Sequence, residues 1–217
     1  MKKSQLIYQY IREQGAVSKQ DIVIGLGLSL PTITQNLNNL AELGLIDTSK
    51  KISNTGGRNA TAYSYIEKAR YAVGLYLNRH HINCVAVDLS GNVISLIRVR
   101  ENFDLNDDNY LRKIGETVEE VKKDTGLSDD RFLGVGIAVQ GLISDDGERV
   151  TYGLTLNFTG VTRADIAKYI PYHNRLFHDS AAAGYAEVWD RNDLDDAFYL
   201  SLSNSVGGAV IVANKIF

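Results

Sequence analysis

The residue best placed for chemistry in this sequence is an acid at the end of a short apolar strand. Phe177-His178-Asp179-Ser180-Ala181-Ala182-Ala183-Gly184 reads as a strand whose last acid opens a small-residue helix. Fixed between strand and helix, Asp179 accepts hydrogen bonds from the hydroxyls of a bound polyol. The competing reading is an N-cap aspartate, which contributes about 1 kcal/mol to its helix. A second group is Thr32, Gln35, Asn36 and Asn39, uncharged hydrogen-bonders at one-turn spacing on one face of a predicted helix. Side chains of that type read base edges in a DNA major groove. Arg58, after Gly56-Gly57 in a polar basic stretch, is placed to reach a phosphate or a minor groove.

Those residues need elements to hold them. Leu6, Ile7, Tyr10 and Ile11 recur at helical spacing up to Gly15. Ser18 to Asp21 resembles a capping box before Ile22 and Val23, and Ser29 is positioned to cap a third helix with Pro31 in its first turn. Two short strands, near 45–47 and 62–66, flank the loop containing Arg58, so this segment reads as helix-turn-helix with a wing. The alternative is a helical bundle with a polar face and a solvated loop. From Tyr71 the pattern changes to strands at 71–77, 82–89 and 93–99, followed by a helix over about 106–125. Leu133 to Val139 is an apolar run suited to a central strand covered on both faces, with Gln140-Gly141 at its mouth. A helix capped at Thr162 and running through Tyr169, a strand at 174–177 and two strands after the small-residue helix complete the pattern.

Composition removes several function classes. The chain of 217 residues has 44% hydrophobic and 23% charged residues, and no apolar run approaches the length of a membrane span. With no greasy leader at Met1, a cytoplasmic protein with no membrane partner is expected. Through Arg70 there are nine Lys/Arg against five Asp/Glu, and the remainder carries fourteen against twenty-one, so a basic head precedes an acidic body. Cys84 is a lone thiol in a strand pattern and is expected buried. His80-His81 are neighbours on a strand and point to opposite faces, so they do not share one metal ion. Asp145-Asp146-Gly147-Glu148 reads as a turn, since its spacing does not fit a Ca²⁺ loop.

The colinear set formed by Gly56-Gly57-Arg58, Asp88-Leu89-Ser90-Gly91-Asn92, Gly134 to Gly141, Leu156-Asn157-Phe158-Thr159-Gly160, His178 to Ala183 and Val206-Gly207-Gly208 resembles the amino-terminal portion of a ROK family repressor, of the xylose and N-acetylglucosamine type. The resemblance implies an α/β chain: a winged helix-turn-helix domain over 1–68, then the first lobe of an actin-like, sugar kinase-like ROK fold over 69–217, ending at the start of the second lobe. It implies that Asn157 and Asp179 bind sugar hydroxyls, that Gly141 lines the sugar pocket, and that Asp179 stands at the kinases' catalytic-base position without acting as one here. His178 stands where an asparagine is usual, which changes the hydroxyl pattern the site accepts. Where the kinases carry an acid, two glycines, a threonine and a lysine to cradle nucleotide phosphates, this chain has Tyr76, Asn78, Arg79, His80 and His81. Two glycines of the second phosphate turn are Ser203 and Ser205. The family's zinc site would lie beyond Phe217, so no cofactor is expected within these residues, and apolar surface that a second lobe would cover should be exposed.

These readings converge on a sugar-responsive, DNA-binding transcriptional regulator of repressor type, not an enzyme, with double-stranded DNA and a sugar or sugar derivative as partners. A homodimer or dimer of dimers is expected. The alternatives are a ROK-type sugar kinase carrying a DNA-binding head, against which the altered phosphate loop argues, and a scaffold whose winged helix contacts protein.

Overall fold

The computed structural model describes residues 2–52, 60–189, 196–202, 206–213 and 215–216, and its chain divides into two compact units. The first comprises Met1–Arg70 with Asp88–Ser90. Its helices are α1 (Lys3–Gln14), α2 (Lys19–Leu26) and α3 (Leu30–Glu42). Ile7 and Ile11 of α1, Ile22 of α2, and Ile33, Leu37 and Leu40 of α3 pack with Val17 and Ile46 into one buried cluster, the stripe their spacing predicts. The capping box is formed: Ser18 Oγ accepts from Asp21 N at 3.2 Å, and the Asp21 carboxylate accepts from Ser18 N at 2.8 Å. Gly27, in the left-handed conformation at φ 62°, ends α2.

Ser29 departs from expectation. It occupies the N-cap position of α3 but makes no side-chain bond to the backbone, because its hydroxyl meets Thr32 Oγ1 at 2.9 Å instead. Beyond α3, β1 (Ile46–Asp47) pairs antiparallel with β4 (Ser64–Tyr65), and β2 (Lys51–Ile52) with β3 (Ala60–Thr61). Residues 53–59, which include Gly56, Gly57 and Arg58, lie outside the described residues.

In the second unit the sheet order is β11-β8-β5-β6-β7, formed by β5 (Tyr71–Leu77), β6 (His81–Asp88), β7 (Val93–Arg100), β8 (Phe132–Val139) and β11 (Asn174–His178). β5, β8 and β11 run parallel, and β6 and β7 pair antiparallel. Tyr71, Val73, Leu75 and Leu77 of β5 are buried, as are Val135, Ile137 and Val139 of β8, in the same core as Ile114, Val118 and Val121 of α4 (Asp108–Asp124). Cys84 is buried on β6, and burial pushes its thiol up to about 12.

The expected double covering of β8 is only half realised. Gly136 and Ala138 alternate with its buried residues and face an apolar trough of about 610 Å³, shared with Gly74, Val85, Phe177 and Tyr185. Their small side chains leave the room. At Gly134, φ 134° and an approach of 2.5 Å between a notional Cβ and His173 O admit only glycine.

The remaining elements are β9 (Leu142–Ile143), β10 (Val150–Tyr152), α5 (Arg163–Ile166), α6 (Asp179–Val188), β12 (Ala197–Leu202), β13 (Val206–Val212) and β14 (Lys215–Ile216). The capping box at Thr162 forms, but its helix closes at Ile166 and does not run on to Tyr169. Strands β12, β13 and β14 form an antiparallel sheet that packs on α6 through Tyr199 and Ala209. Phe198, Leu200, Leu202, Val206, Val210 and Val212 of this sheet are exposed, in keeping with the expected uncovered apolar surface.

Asp108 ties the start of α4 to the chain after α5, accepting from Lys168 Nζ at 2.7 Å, Tyr169 Oη at 2.7 Å and Arg112 Nε at 2.9 Å. The hydrogen bonds from Lys168 and Tyr169 hold its carboxyl at about 2. A folded-state value below the unfolded value of about 3.9 gives stability that is complete above the latter and lost as pH falls through the former. Between about pH 4 and pH 2 the urea midpoint of the wild-type chain is therefore expected to fall more steeply than that of Asp108→Asn. Parallel curves would exclude the carboxylate as a source of acid sensitivity.

Candidate carbohydrate cleft

Register decides which residues meet. Leu77 of β5 pairs with Val139 of β8, and Val139 pairs with His178 of β11, so the three parallel strands end in one row. The residues just past that row, with Tyr76 just before it, define a cleft of about 270 Å³ at the carboxyl ends of the strands. Open parallel sheets gather ligands at that edge. Gly141, His178 and Asp179 all line it, together with Tyr76, Gln140 and Thr155. Gly141 has to be glycine, since a Cβ there would stand 2.9 Å from Tyr152 O and 3.0 Å from a Val150 methyl.

Asn157 does not line this cleft. It is exposed in the turn that follows Leu154 and Thr155, which do line it, and it adopts φ 54° with its N–H donating to Leu154 O at 3.2 Å. Asparagine tolerates that left-handed backbone better than most residues.

Asp179 fits parts of both readings of its role. Its side chain is about one-fifth exposed, and Oδ1 accepts from Ser180 N at 2.7 Å and Ser180 Oγ at 3.3 Å, so one oxygen does serve the first turn of α6. His178 Nε2 stands 3.5 Å from the same oxygen. The cleft-side neighbour is Tyr76, whose hydroxyl accepts from Gln140 Nε2 at 3.4 Å. Burial raises the Tyr76 phenol above its ordinary value, and the charge of the Asp179 carboxylate raises it further. Sequence marked Tyr76 only as a departure from the phosphate loop and Gln140 only as part of a strand mouth; their places at the strand ends bring both to the cleft.

The turn from β5 to β6 is closed by its own side chains. Asn78 Oδ1 accepts from His80 N at 3.0 Å and His81 N at 2.9 Å, and Asn78 N donates to His81 O at 3.1 Å. Arg79 Nη2 donates to Thr155 O at 2.7 Å. Backbone donors that a phosphate would need are therefore engaged. His80 and His81 part company: the first has Nδ1 3.1 Å from Asn102 Oδ1, and the ring of the second lies 3.3 Å from Arg98 Nη2. In the 145–148 turn, Asp146 accepts from Ser144 Oγ and Glu148 N, and Glu148 pairs with Arg163 at 2.9 Å. Ser203 and Ser205 lie outside the described residues.

On the first unit, Gln35 and Asn39 of α3 are exposed and Thr32 and Asn36 half-buried, so the four expected residues do share a face. Asn36 Nδ2 donates one of its two hydrogens to Thr32 O at 2.8 Å. No helix among the described residues is long and apolar enough to cross a membrane.

A parallel-centred lobe with its cleft at the strand ends is the mixed α/β architecture of actin-like sugar kinases. The ROK family model matches residues 72–217, and the chain belongs to the ROK family. It is 21% identical to the xylose repressor of Caldicellulosiruptor bescii over 98% of its own length and 54% of that protein. It is likewise 21% identical to the Escherichia coli DNA-binding transcriptional dual regulator NagC, over 99% of this chain and 53% of the relative. The chain thus spans about half the length of the curated relatives it matches. Among solved structures, a ROK family transcriptional regulator homologous to the Escherichia coli MLC protein superposes with a TM-score of 0.76 at 18% identity, covering 99% of this chain and 55% of that one. A ROK family glucokinase from Streptomyces griseus, solved with glucose and AMPPNP, gives 0.55 at 17% identity, covering 68% and 46%. At these identities the superpositions establish fold.

The Tyr76 phenol supplies a test of the cleft geometry. A buried phenolate beside a carboxylate is penalised twice, so Asp179→Asn is expected to lower the Tyr76 titration midpoint towards the ordinary value of about 10. Tyrosine labelled with ¹³C at Cζ reports it by NMR, and an unmoved midpoint would separate the two side chains.

Proposed function

We propose that this chain is the DNA-binding and first-lobe portion of a sugar-responsive transcriptional repressor. The observation that carries the reading is coverage: the xylose repressor and NagC align over 98% and 99% of the chain and the transcriptional regulator superposes over 99%, whereas the glucokinase superposes over 68%. The first unit is what distinguishes the two groups. We read residues 1–68 as a winged helix-turn-helix head and 69–217 as the ROK lobe, with the paired strands after α3 as the wing. Gln35 and Asn39, being exposed, serve as base readers, with Thr32 and Asn36 beside them and Arg58 as a phosphate or minor-groove contact.

Sugar is recognised at the cleft by Asp179, His178 and the backbone of Gly141, with Asn157 joining from the neighbouring turn. A sugar that changes the lobe changes the spacing of the heads in a homodimer or dimer of dimers, and a changed spacing no longer matches paired half-sites. The kinase reading is disfavoured by the Asn78-closed turn, which uses the amides of His80 and His81.

An operator selected from random duplexes tests the head. Gln35→Ala is expected to cost roughly 1–3 kcal/mol on that operator and little on random DNA, while Arg58→Ala weakens both. Equal losses for Gln35→Ala on the two DNAs would remove α3 as the reading helix. For the chemistry, incubation with ATP, Mg²⁺ and a panel of hexoses, pentoses and amino sugars is expected to give no sugar phosphate. Turnover abolished by Asp179→Asn would restore the kinase reading.

A further inference from the structure

The apolar stripe of α3 outruns the core of the first unit. Ile33, Leu37 and Leu40 are almost inaccessible to solvent, but Leu30, three residues before Ile33 and on the same stripe, is 51% exposed. Beside it lies a hollow of about 290 Å³, lined by Leu30 and Ala60 together with Lys19, Gln20 and Thr61, so the first turns of α2 and α3 and strand β3 all contribute to it. We propose that Leu30 is a specificity-determining residue of the DNA interface, its side chain packing against the 5-methyl group of a thymine in the major groove. This rests on the reading of α3 as the helix that enters the groove.

Three observations support it. First, a recognition helix meets base edges with its N-terminal residues, and Leu30 is the first residue of α3. Second, polar groups at that end of the helix bond to one another: Ser29 Oγ lies 2.9 Å from Thr32 Oγ1, and Thr32 O accepts from Asn36 Nδ2 at 2.8 Å. The exposed residues of the first turn are Leu30 and Pro31, both apolar, and the thymine methyl is the apolar group that the major groove displays. Third, Lys19 and Gln20 line the hollow from the start of α2, and the helix that precedes a recognition helix crosses the phosphate backbone. A phosphate held there sets the register that brings a base edge to Leu30, since phosphate contacts position and base contacts specify. A single exposed leucine needs no ligand to explain it; what singles this one out is the hollow that three separate elements leave beside it.

The test uses the operator selected from random duplexes at low salt, where phosphate contacts are strongest, with each thymine in turn replaced by deoxyuridine so that only the 5-methyl group is lost. Replacement at one thymine of a half-site is expected to weaken binding by the wild-type chain about fourfold, the worth of one buried methyl-sized group. Leu30→Ala is expected to bind the thymine and uracil operators alike, and Leu30→Met, which keeps an apolar side chain of similar size, to retain most of the discrimination. A measurement in the unaltered chain does not depend on how a variant folds: in the complex carrying ¹³C-methyl leucine, an intermolecular NOE is expected between a Leu30 methyl and that thymine methyl. If the operator is bound and no thymine replacement matters, if Leu30→Ala discriminates as the wild type does, or if the NOE is absent, the role of Leu30 is wrong and the DNA-binding reading stands. If no duplex is selected over random DNA, the DNA-binding reading falls and the role of Leu30 falls with it.

Discussion

The register of three parallel strands is the constraint on which the second unit depends. Leu77, Val139 and His178 stand in one row, so the residues beyond them emerge together from three separated parts of the sequence. Strand side chains alternate with a period of two, and a slip of one residue would carry Tyr76 into the packed core and Leu77 out of it. The slip is prevented by the buried set Tyr71, Val73, Leu75 and Leu77 against α4, each essentially inaccessible to solvent. The core that stabilises the sheet is thus also what aligns the cleft, and neither can be varied without the other.

Much of the architecture follows from local sequence rules, and the parts that do not are set by distant neighbours. The helices of the first unit are legible because Ile7, Ile11, Ile22, Ile33, Leu37 and Leu40 recur at the helical period, and because Ser18 and Asp21 have the spacing of a reciprocal cap. Ser29 has the same local credentials, and fails as a backbone cap because a second hydroxyl, Thr32, lies within reach. In the cleft, Asp179 was legible as a turn-borne acid, whereas Gly141 and His178 were expected there only through family likeness. Asn157 was visible only through family likeness, and its backbone turn sets it beside the cleft rather than in it. Gln140 and Tyr76 carry no periodic or compositional signal, since their roles come from pairing with strands more than thirty residues away in the chain.

The two faces of the central sheet are built to different rules. One is filled with Val, Ile and Leu, and the other carries Gly74, Gly136 and Ala138. Glycine in a central strand weakens it unless something needs close approach. Here a Cβ at Gly74 would stand 3.2 Å from a Val85 methyl and one at Gly136 3.5 Å from the Phe177 ring, so the small residues leave room for those two side chains.

The Asn78 turn is fastened in several places at once. Changing Asn78 to glycine would release the amides of His80 and His81, yet Arg79 would still be bound to the Thr155 carbonyl. Such a turn works as a ratchet: it closes by small steps, each adding a contact, and it opens only when several side chains change together.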